Sequence, residues 1–199
     1  MKRSEVLLDE LRVRRKGPER KVLEAFNRRV GMAAKRILVA LLVLYVGWLA
    51  VAYDYHFIDG ANLLFHEAGH IILGFMGQTL HFLGGTIGQL FFPVACALHF
   101  IQTGKFYEAW LMGIWFAESL MYTAHYLGDA QAQALPLVGG HIHDWNWLLS
   151  RWGLLQNCDA IARGLHWIAV AIAIACLVAA WRAADGFESS MSFSSSESI

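Results

Sequence analysis

Long apolar stretches separated by short polar segments run through residues 37–182. Residues 37–53 are uninterrupted and apolar, and at about 1.5 Å per residue they cross most of a bilayer core of about 30 Å. Further helices are predicted at residues 58–77, 90–102, 106–126 and 161–181. The pattern therefore predicts an all-α integral membrane protein, a bundle of about five to six transmembrane helices.

Two segments do not fit a simple spanning helix. Residues 78–88 contain His81 and the pair Gly84-Gly85, and are too polar and glycine-rich for one. We expect a loop, hairpin or re-entrant element there, after the second helix, allowed at membrane depth only where protein covers it. Residues 144–157 begin with a cluster of tryptophans, which favours an interfacial helix. The number of spans and the side of the C-terminus depend on these two segments.

Charge is unevenly distributed, although the chain has 16 basic and 16 acidic residues. Of the 16 Lys and Arg residues, 12 fall within residues 1–36. The positive-inside rule therefore predicts a cytoplasmic N-terminus in the cell (inner) membrane. Residues 1–36 are interpreted as a basic cytoplasmic helical segment, either a surface helix on anionic lipid or a solvated extension. Residues 37–182 form one membrane core, and residues 183–199 a Ser-rich tail expected to be disordered.

His66 and His70 begin and end an HExxH sequence in the second predicted helix. Positions i and i+4 share a helix face, so the two imidazoles can take two corners of a tetrahedral Zn2+ site. Glu67 lies beside them and can accept a proton from water that the metal activates. A charged residue at mid-bilayer costs about 2.5–3.5 kcal/mol, and a metal would offset that cost. A chance match or a structural polar cluster is the alternative.

A catalytic zinc ion usually has three protein ligands and one open position. Candidates for the third ligand are Asp144, His141, His143, Asp129, Glu118 and His125. We favour Asp144, because the Gly-Gly turn and the Pro-containing apolar run before it can bring the chain back to the site. Asp144 would equally suit the N-cap of a helix that starts at Trp145, which is a structural role.

Glu118, Tyr122 and His125 fall at i, i+4 and i+7, and therefore share one face of their predicted helix. We expect this face to look inward, where its groups would orient a metal ligand or line the substrate path, together with His141 and His143. Hydrogen bonding between helices is the structural alternative. Four other histidines show no informative spacing and are interpreted as packing or interface residues: His56, His81, His99 and His166.

These features resemble the site-2 protease family of intramembrane zinc metalloproteases. The resemblance rests on FHEAGH at residues 65–70, on the glycine-rich GGTIGQL at residues 84–90, and on the placement of residues 135–144, where the family has its third zinc ligand. It implies Zn2+, a membrane protein or peptide substrate within the lipid bilayer, and no nucleic-acid partner. The chain would be a divergent, minimal member. Asp144 stands in His-Asp-Trp instead of Leu-Asp-Gly, and the Asn-x-x-Pro of the family is absent.

Two other classes use similar residues. Di-iron membrane hydroxylases and desaturases need repeated histidine clusters, whereas this chain has one HxxxH and the pair His141-x-His143. A non-enzymatic metal- or haem-binding membrane protein has no use for Glu67 between the histidines. The sequence therefore favours a zinc metalloendopeptidase, with Glu67 assisting the attack of water on a peptide bond.

Overall fold

Six α-helices account for most of residues 18–138 and 142–185, the part of the chain that the computed structural model describes. The helices are α1 (Pro18–Val51), α2 (Phe57–Leu73), α3 (Gln78–Gln102), α4 (Phe106–Gly128), α5 (Asp144–Arg151) and α6 (Cys158–Ala183). Short 3-10 turns, Gly74–Met76 and Leu155–Asn157, precede α3 and α6. The described residues contain no strand, and the all-α prediction is confirmed.

Within the described residues, three helices are long and apolar enough to cross a membrane: α1, α3, and α6 with the 3-10 turn before it. This agrees with the prediction of a membrane protein, whereas five to six spans are not confirmed. The basic segment from residue 18 and the predicted span at 37–53 form one continuous helix, α1. Residues 1–17 and most of the Ser-rich tail lie outside the described residues.

The prediction of a loop, hairpin or re-entrant element at residues 78–88 is wrong, because these residues form the first half of α3. The glycines there do not break the helix; they form the face that packs on α2. A Cβ added to Gly69 of α2 would lie 2.0 Å from the carbonyl oxygen of Gly84, and one added to Gly84 would lie 2.6 Å from that of Gly69. Only glycine allows two helix backbones to approach so closely.

The apolar core lies between α1, α4 and α6. Its fully buried members include Leu49, Met121 and Ala173. The most extensive contact is between α4 and α6, where small residues let the helices approach. A smaller cluster holds α5 against the end of α4 and the start of α6, through Leu127, Leu149, Cys158 and Ala162. This cluster fixes the position of the first turn of α5.

Helices α1 and α6 run in opposite directions. At one end of the bundle, Arg36 Nη2 donates to Asp185 Oδ1 at 2.5 Å. Further along, His166 Nε2 near the start of α6 donates to the carbonyl oxygen of Ala50 at the end of α1, at 3.1 Å. The hydroxyl of Tyr107, at the start of α4, donates to a backbone carbonyl of α1 beside Arg36 at 3.0 Å. The start of α4 and the end of α6 therefore lie at the same end of the bundle as Arg36.

Candidate metal centre

The side chains of the HExxH sequence and Asp144 converge between α2 and α5. His66 Nε2 lies 2.8 Å from Asp144 Oδ2, and His70 Nε2 lies 3.2 Å from the same oxygen. The helical spacing places the two imidazole rings with their centroids 4.7 Å apart. A carboxylate oxygen of Glu67 and one ring nitrogen of each histidine all lie within 4.8 Å of one another. Four residues selected from the sequence are thus brought to one place.

Asp144 is the first residue of α5, and His143 occupies the N-cap position. The Nδ1 of His143 accepts a hydrogen bond from the backbone of Asn146 at 3.3 Å, so it performs the capping role considered for Asp144. The backbone N–H of Asp144 donates to the hydroxyl of Tyr126 at 3.2 Å. The carboxylate of Asp144 is therefore free of capping and faces α2.

A hydrogen bond holds the second ring nitrogen of each HExxH histidine. His70 Nδ1 donates to the backbone oxygen of His81 at 2.7 Å, and His66 Nδ1 donates to Gln89 Oε1 at 3.1 Å. The orientation of the Gln89 amide follows from its other contact, since Nε2 donates to the carbonyl oxygen of Ser119 at 3.2 Å and a carbonyl only accepts. In the neutral rings both Nδ1 atoms therefore carry the hydrogen, and both Nε2 atoms present lone pairs to the carboxylate.

Three lone-pair atoms thus meet at one point: His66 Nε2, His70 Nε2 and Asp144 Oδ2. Acceptors at these distances repel one another unless a proton or a metal cation lies between them. Two imidazoles and a carboxylate, with each Nδ1–H bound to a protein acceptor, form a donor set that fits Zn2+.

A cavity of ≈ 670 Å³ opens beside these side chains. Its size is in the range of about 300–1,000 Å³ that is typical of ligand sites. The polar part of its wall consists of Tyr55, His66, Glu67, His70, His81, Tyr122, His125, Tyr126 and Asp144. The apolar part includes Leu63, Ile71, Phe82, Leu135, Pro136, Leu137, Val138 and Ile142. The wall of the cavity is therefore partly polar and partly apolar.

The three residues of the α4 face that was predicted to look inward have different surroundings. Tyr122 and His125 line the cavity. Glu118 does not line it: its side chain is buried, and both carboxylate oxygens accept from Asn62 Nδ2 of α2, at 3.1 and 2.9 Å. For Glu118 the structure therefore favours the alternative of hydrogen bonding between helices.

His143 and Asp129 lie behind the site and do not line the cavity. The ring of His143 stacks on Tyr126 with the centroids 4.1 Å apart, and burial lowers its pKa. The carboxylate of Asp129 accepts two backbone N–H groups from residues 134 and 135, which turns the chain after α4. His141 lies outside the described residues.

Gln89 and His81 support the site, and neither was selected from the sequence. Gln89 is buried and connects His66 to α4, because its Nε2 also donates to Thr123 Oγ1 at 2.6 Å. His81 was interpreted as a packing residue, yet its backbone oxygen holds His70 and its ring lines the cavity. The sequence does offer a sign of the role of Gln89, because it is an isolated amide in an apolar helix. No sequence pattern could predict the role of His81, because its backbone oxygen makes the contact.

Comparisons of the chain with protein-family models, with curated proteins and with solved structures found no match. The resemblance to site-2 proteases therefore rests on the residues quoted above.

Proposed function

We propose that the protein is a membrane-embedded zinc metalloendopeptidase similar to the site-2 proteases. The observation that carries the proposal is the convergence of His66 Nε2, His70 Nε2 and Asp144 Oδ2, with the Glu67 carboxylate beside them at a cavity. His66, His70 and Asp144 would hold the ion. Zn2+ bound there would supply Lewis-acid activation of a water molecule and of a peptide carbonyl.

Glu67 is proposed as the group that moves the proton. Its carboxylate borders the cavity and lies next to both histidines, where it can accept a proton as water attacks the carbonyl carbon. The C–N bond then breaks, and Glu67 returns the proton to the leaving amine. Gln89 and the backbone of His81 keep the histidine rings oriented meanwhile.

The apolar part of the cavity wall suits a peptide substrate with apolar side chains. Leu135, Leu137 and Val138 line the cavity on the side of the chain before Asp144, and Ile71 and Phe82 line it from α2 and α3. In a transmembrane helix the carbonyl groups are already hydrogen-bonded, so such a substrate must unwind before its peptide bond can reach Glu67. We infer that an apolar segment of a membrane protein, locally extended, is the substrate.

We also propose that Arg36 and Asp185 both lie on the cytoplasmic side of the cell membrane. The basic residues before Arg36 favour that side, and the contact of Arg36 with Asp185 puts the end of α6 beside it. An odd number of crossings would separate the two residues, so an even number fits the contact. The proposal therefore implies an even number of spans.

The decisive test of hydrolysis is Glu67→Gln in the full chain, reconstituted in lipid with a panel of single-span membrane peptides. Wild-type protein should cleave a member of the panel, and the variant should lose about 10²–10⁴-fold in rate, because it cannot accept the proton. Zinc content should not change. Glu108→Gln, which alters a partly exposed carboxylate at the start of α4, is the matched control and should cleave normally. Cleavage by Glu67→Gln at the wild-type rate would refute the mechanism.

The third ligand is tested separately by metal analysis of Asp144→Ala. We expect this variant to lose the zinc ion at the HExxH site, since only the two histidine ligands remain. Asp159→Ala removes an exposed carboxylate at the start of α6 and should keep the ion. Full zinc affinity in Asp144→Ala would eliminate Asp144 as a ligand.

A further inference from the structure

One face of α1 carries an apolar stripe that the rest of the bundle leaves exposed. Its large members repeat every seven residues: Leu23, Val30, Ile37 and Leu44. Three residues after each of the first three stands another exposed apolar residue: Phe26, Ala33 and Ala40. This spacing is that of the a and d positions of a heptad repeat, sustained over three heptads. We call these seven residues the heptad face of α1.

Helix α1 packs on its own bundle with a different face. Val39, Val46 and Leu49 are buried in the apolar core, and Lys35 Nζ lies 3.9 Å from Glu108 Oε1 of α4. The four residues of α1 among these occupy the c and f positions of the same repeat. Positions c and f lie on the side of a helix opposite to a and d. The packing of the bundle therefore leaves the heptad face available to a partner.

A lipid bilayer accounts for only part of the heptad face. With 34 residues, α1 is about 51 Å long, whereas a bilayer core is about 30 Å thick. Lys and Arg are costly within that core, so the end at residues 20–29, which holds both types, is the end that lies outside it. Leu23, Phe26 and Val30 belong to this end and are 58%, 62% and 51% exposed. Clustered apolar side chains in water mark a contact surface for another protein.

The period of the heptad face specifies a helix as the partner. Lipid imposes no seven-residue repeat, whereas two helices that wind around each other in a left-handed supercoil do. A second copy of α1 supplies the same repeat in the same register, and identical insertion in the membrane makes the two helices parallel. Val30 and Ile37 are β-branched residues at a positions, which favour two strands. The small d residues Ala33 and Ala40 let the two helices approach closely.

The charges of α1 are compatible with this pairing. In a parallel two-stranded coiled coil, a g residue of one helix approaches the e residue five positions later on the other. Val22 would then meet Asn27 of the partner subunit, and Arg29 would meet Ala34 of the partner subunit. Arg28 occupies an f position, far from the contact between the helices. No like charges face each other in these pairs.

We propose that the protein forms a parallel dimer through the heptad face of α1. The contact runs from the basic end of the helix into the membrane, and two copies contribute it equally. The residues that line the cavity beside the HExxH sequence come from other parts of the chain than α1, so each copy keeps its own metal centre. The inference does not rest on the proposed hydrolysis.

Disulfide cross-linking tests the geometry of the contact. The full chain with Cys96, Cys158 and Cys176 replaced by serine receives one new cysteine and is oxidised in dilute lipid vesicles with copper phenanthroline. Val30→Cys should form a covalent dimer, because equivalent a residues of the two helices face each other. Arg28→Cys, two residues away at an f position, should stay monomeric. No covalent dimer of Val30→Cys, or equal cross-linking of both variants by random collision, would overturn the proposal.

The protein mass of the chain with its own cysteines, measured by light scattering in detergent, gives a second and independent test. Wild-type protein should have twice the 22.3 kDa of one chain. Phe26→Glu should reduce that mass twofold, because two carboxylates would face each other at a d position. Ala25→Glu places the same side chain at the neighbouring exposed c position and should leave the dimer intact. A monomeric wild type, an assembly of more than two chains, or a Phe26→Glu protein that stays dimeric would each refute the inference.

Discussion

At the residue scale, Gln89 shows how one side chain determines what another can do. Its Oε1 accepts from His66 of α2, and its Nε2 donates to Ser119 and Thr123 of α4. With both ends of the amide satisfied, Gln89 decides which nitrogen of His66 faces Asp144. A metal ligand held in this way is oriented before the ion arrives, which raises its affinity.

Replacing Gln89 by Leu should therefore weaken zinc binding about 10–100-fold, the usual cost of losing such an outer hydrogen bond. The physical reason is that the ring of His66 is then free to turn or to change tautomer. The measurement is competition for Zn2+ with a chelator of known affinity. Gln102→Leu, at the exposed end of the same helix, is the matched control. Equal affinity in both variants would mean that Gln89 is only a packing residue.

At the element scale, the pair of α2 and α3 determines the position of the HExxH side chains. The two helices pack through glycine, and another glycine of α3, Gly85, lies under His66. A Cβ on Gly85 would lie 2.3 Å from His66 Nε2 and 2.4 Å from its Cε1. Side chains essentially never approach so closely, so the backbone or the ring must move. The glycine stretch therefore serves the site through packing.

Gly85→Ala should accordingly lower the zinc content. It should also lower the free energy of unfolding by about 1–3 kcal/mol, as expected for overpacking. Gly47→Ala is the control, because a Cβ there meets nothing within 4 Å and alanine favours a helix. Zinc analysis and thermal unfolding of the two variants make the comparison. A Gly85→Ala protein with normal zinc content would show that the α2–α3 contact has room to relax.

At the scale of the whole molecule, the antiparallel arrangement of α1 and α6 sets the topology. Arg36 and Asp185 pair at one end, and α4 starts at that end and runs away from it. The segment after α4 must therefore lie at the opposite end of the bundle, near the cavity. The proposed cytoplasmic position of the basic N-terminal segment would place the cavity nearer to the outer face of the membrane.

This topology predicts the labelling of single cysteines in a chain whose Cys96, Cys158 and Cys176 are replaced by serine. Lys21→Cys and Arg182→Cys should resist a membrane-impermeant maleimide in intact cells and react after lysis. Gln133→Cys, in the segment after α4, should react in intact cells. Labelling of Arg182→Cys from outside would contradict the shared side of Arg36 and the end of α6.

The sequence by itself determined the features that depend on neighbours along the chain. The predicted helix at 106–126 corresponds to Phe106–Gly128, and that at 161–181 to Cys158–Ala183, because long, mainly apolar stretches of this length favour a helix. The shared face of His66 and His70 follows from helix geometry alone. The cytoplasmic placement of the N-terminus likewise rests on a local count of charges and stays a prediction.

Only the tertiary structure decided what depends on partners distant in sequence. Asp144 faces His66 across 78 residues, and no local pattern could distinguish that position from a helix cap. The glycines of residues 78–88 predict a loop when only the sequence is considered. A glycine suits both a turn and a close helix contact, and what packs against it decides between them. The same reason applies to Gln89 and to the shared end of Arg36 and Asp185. Contacts between helices, which are formed only on folding, determine all four.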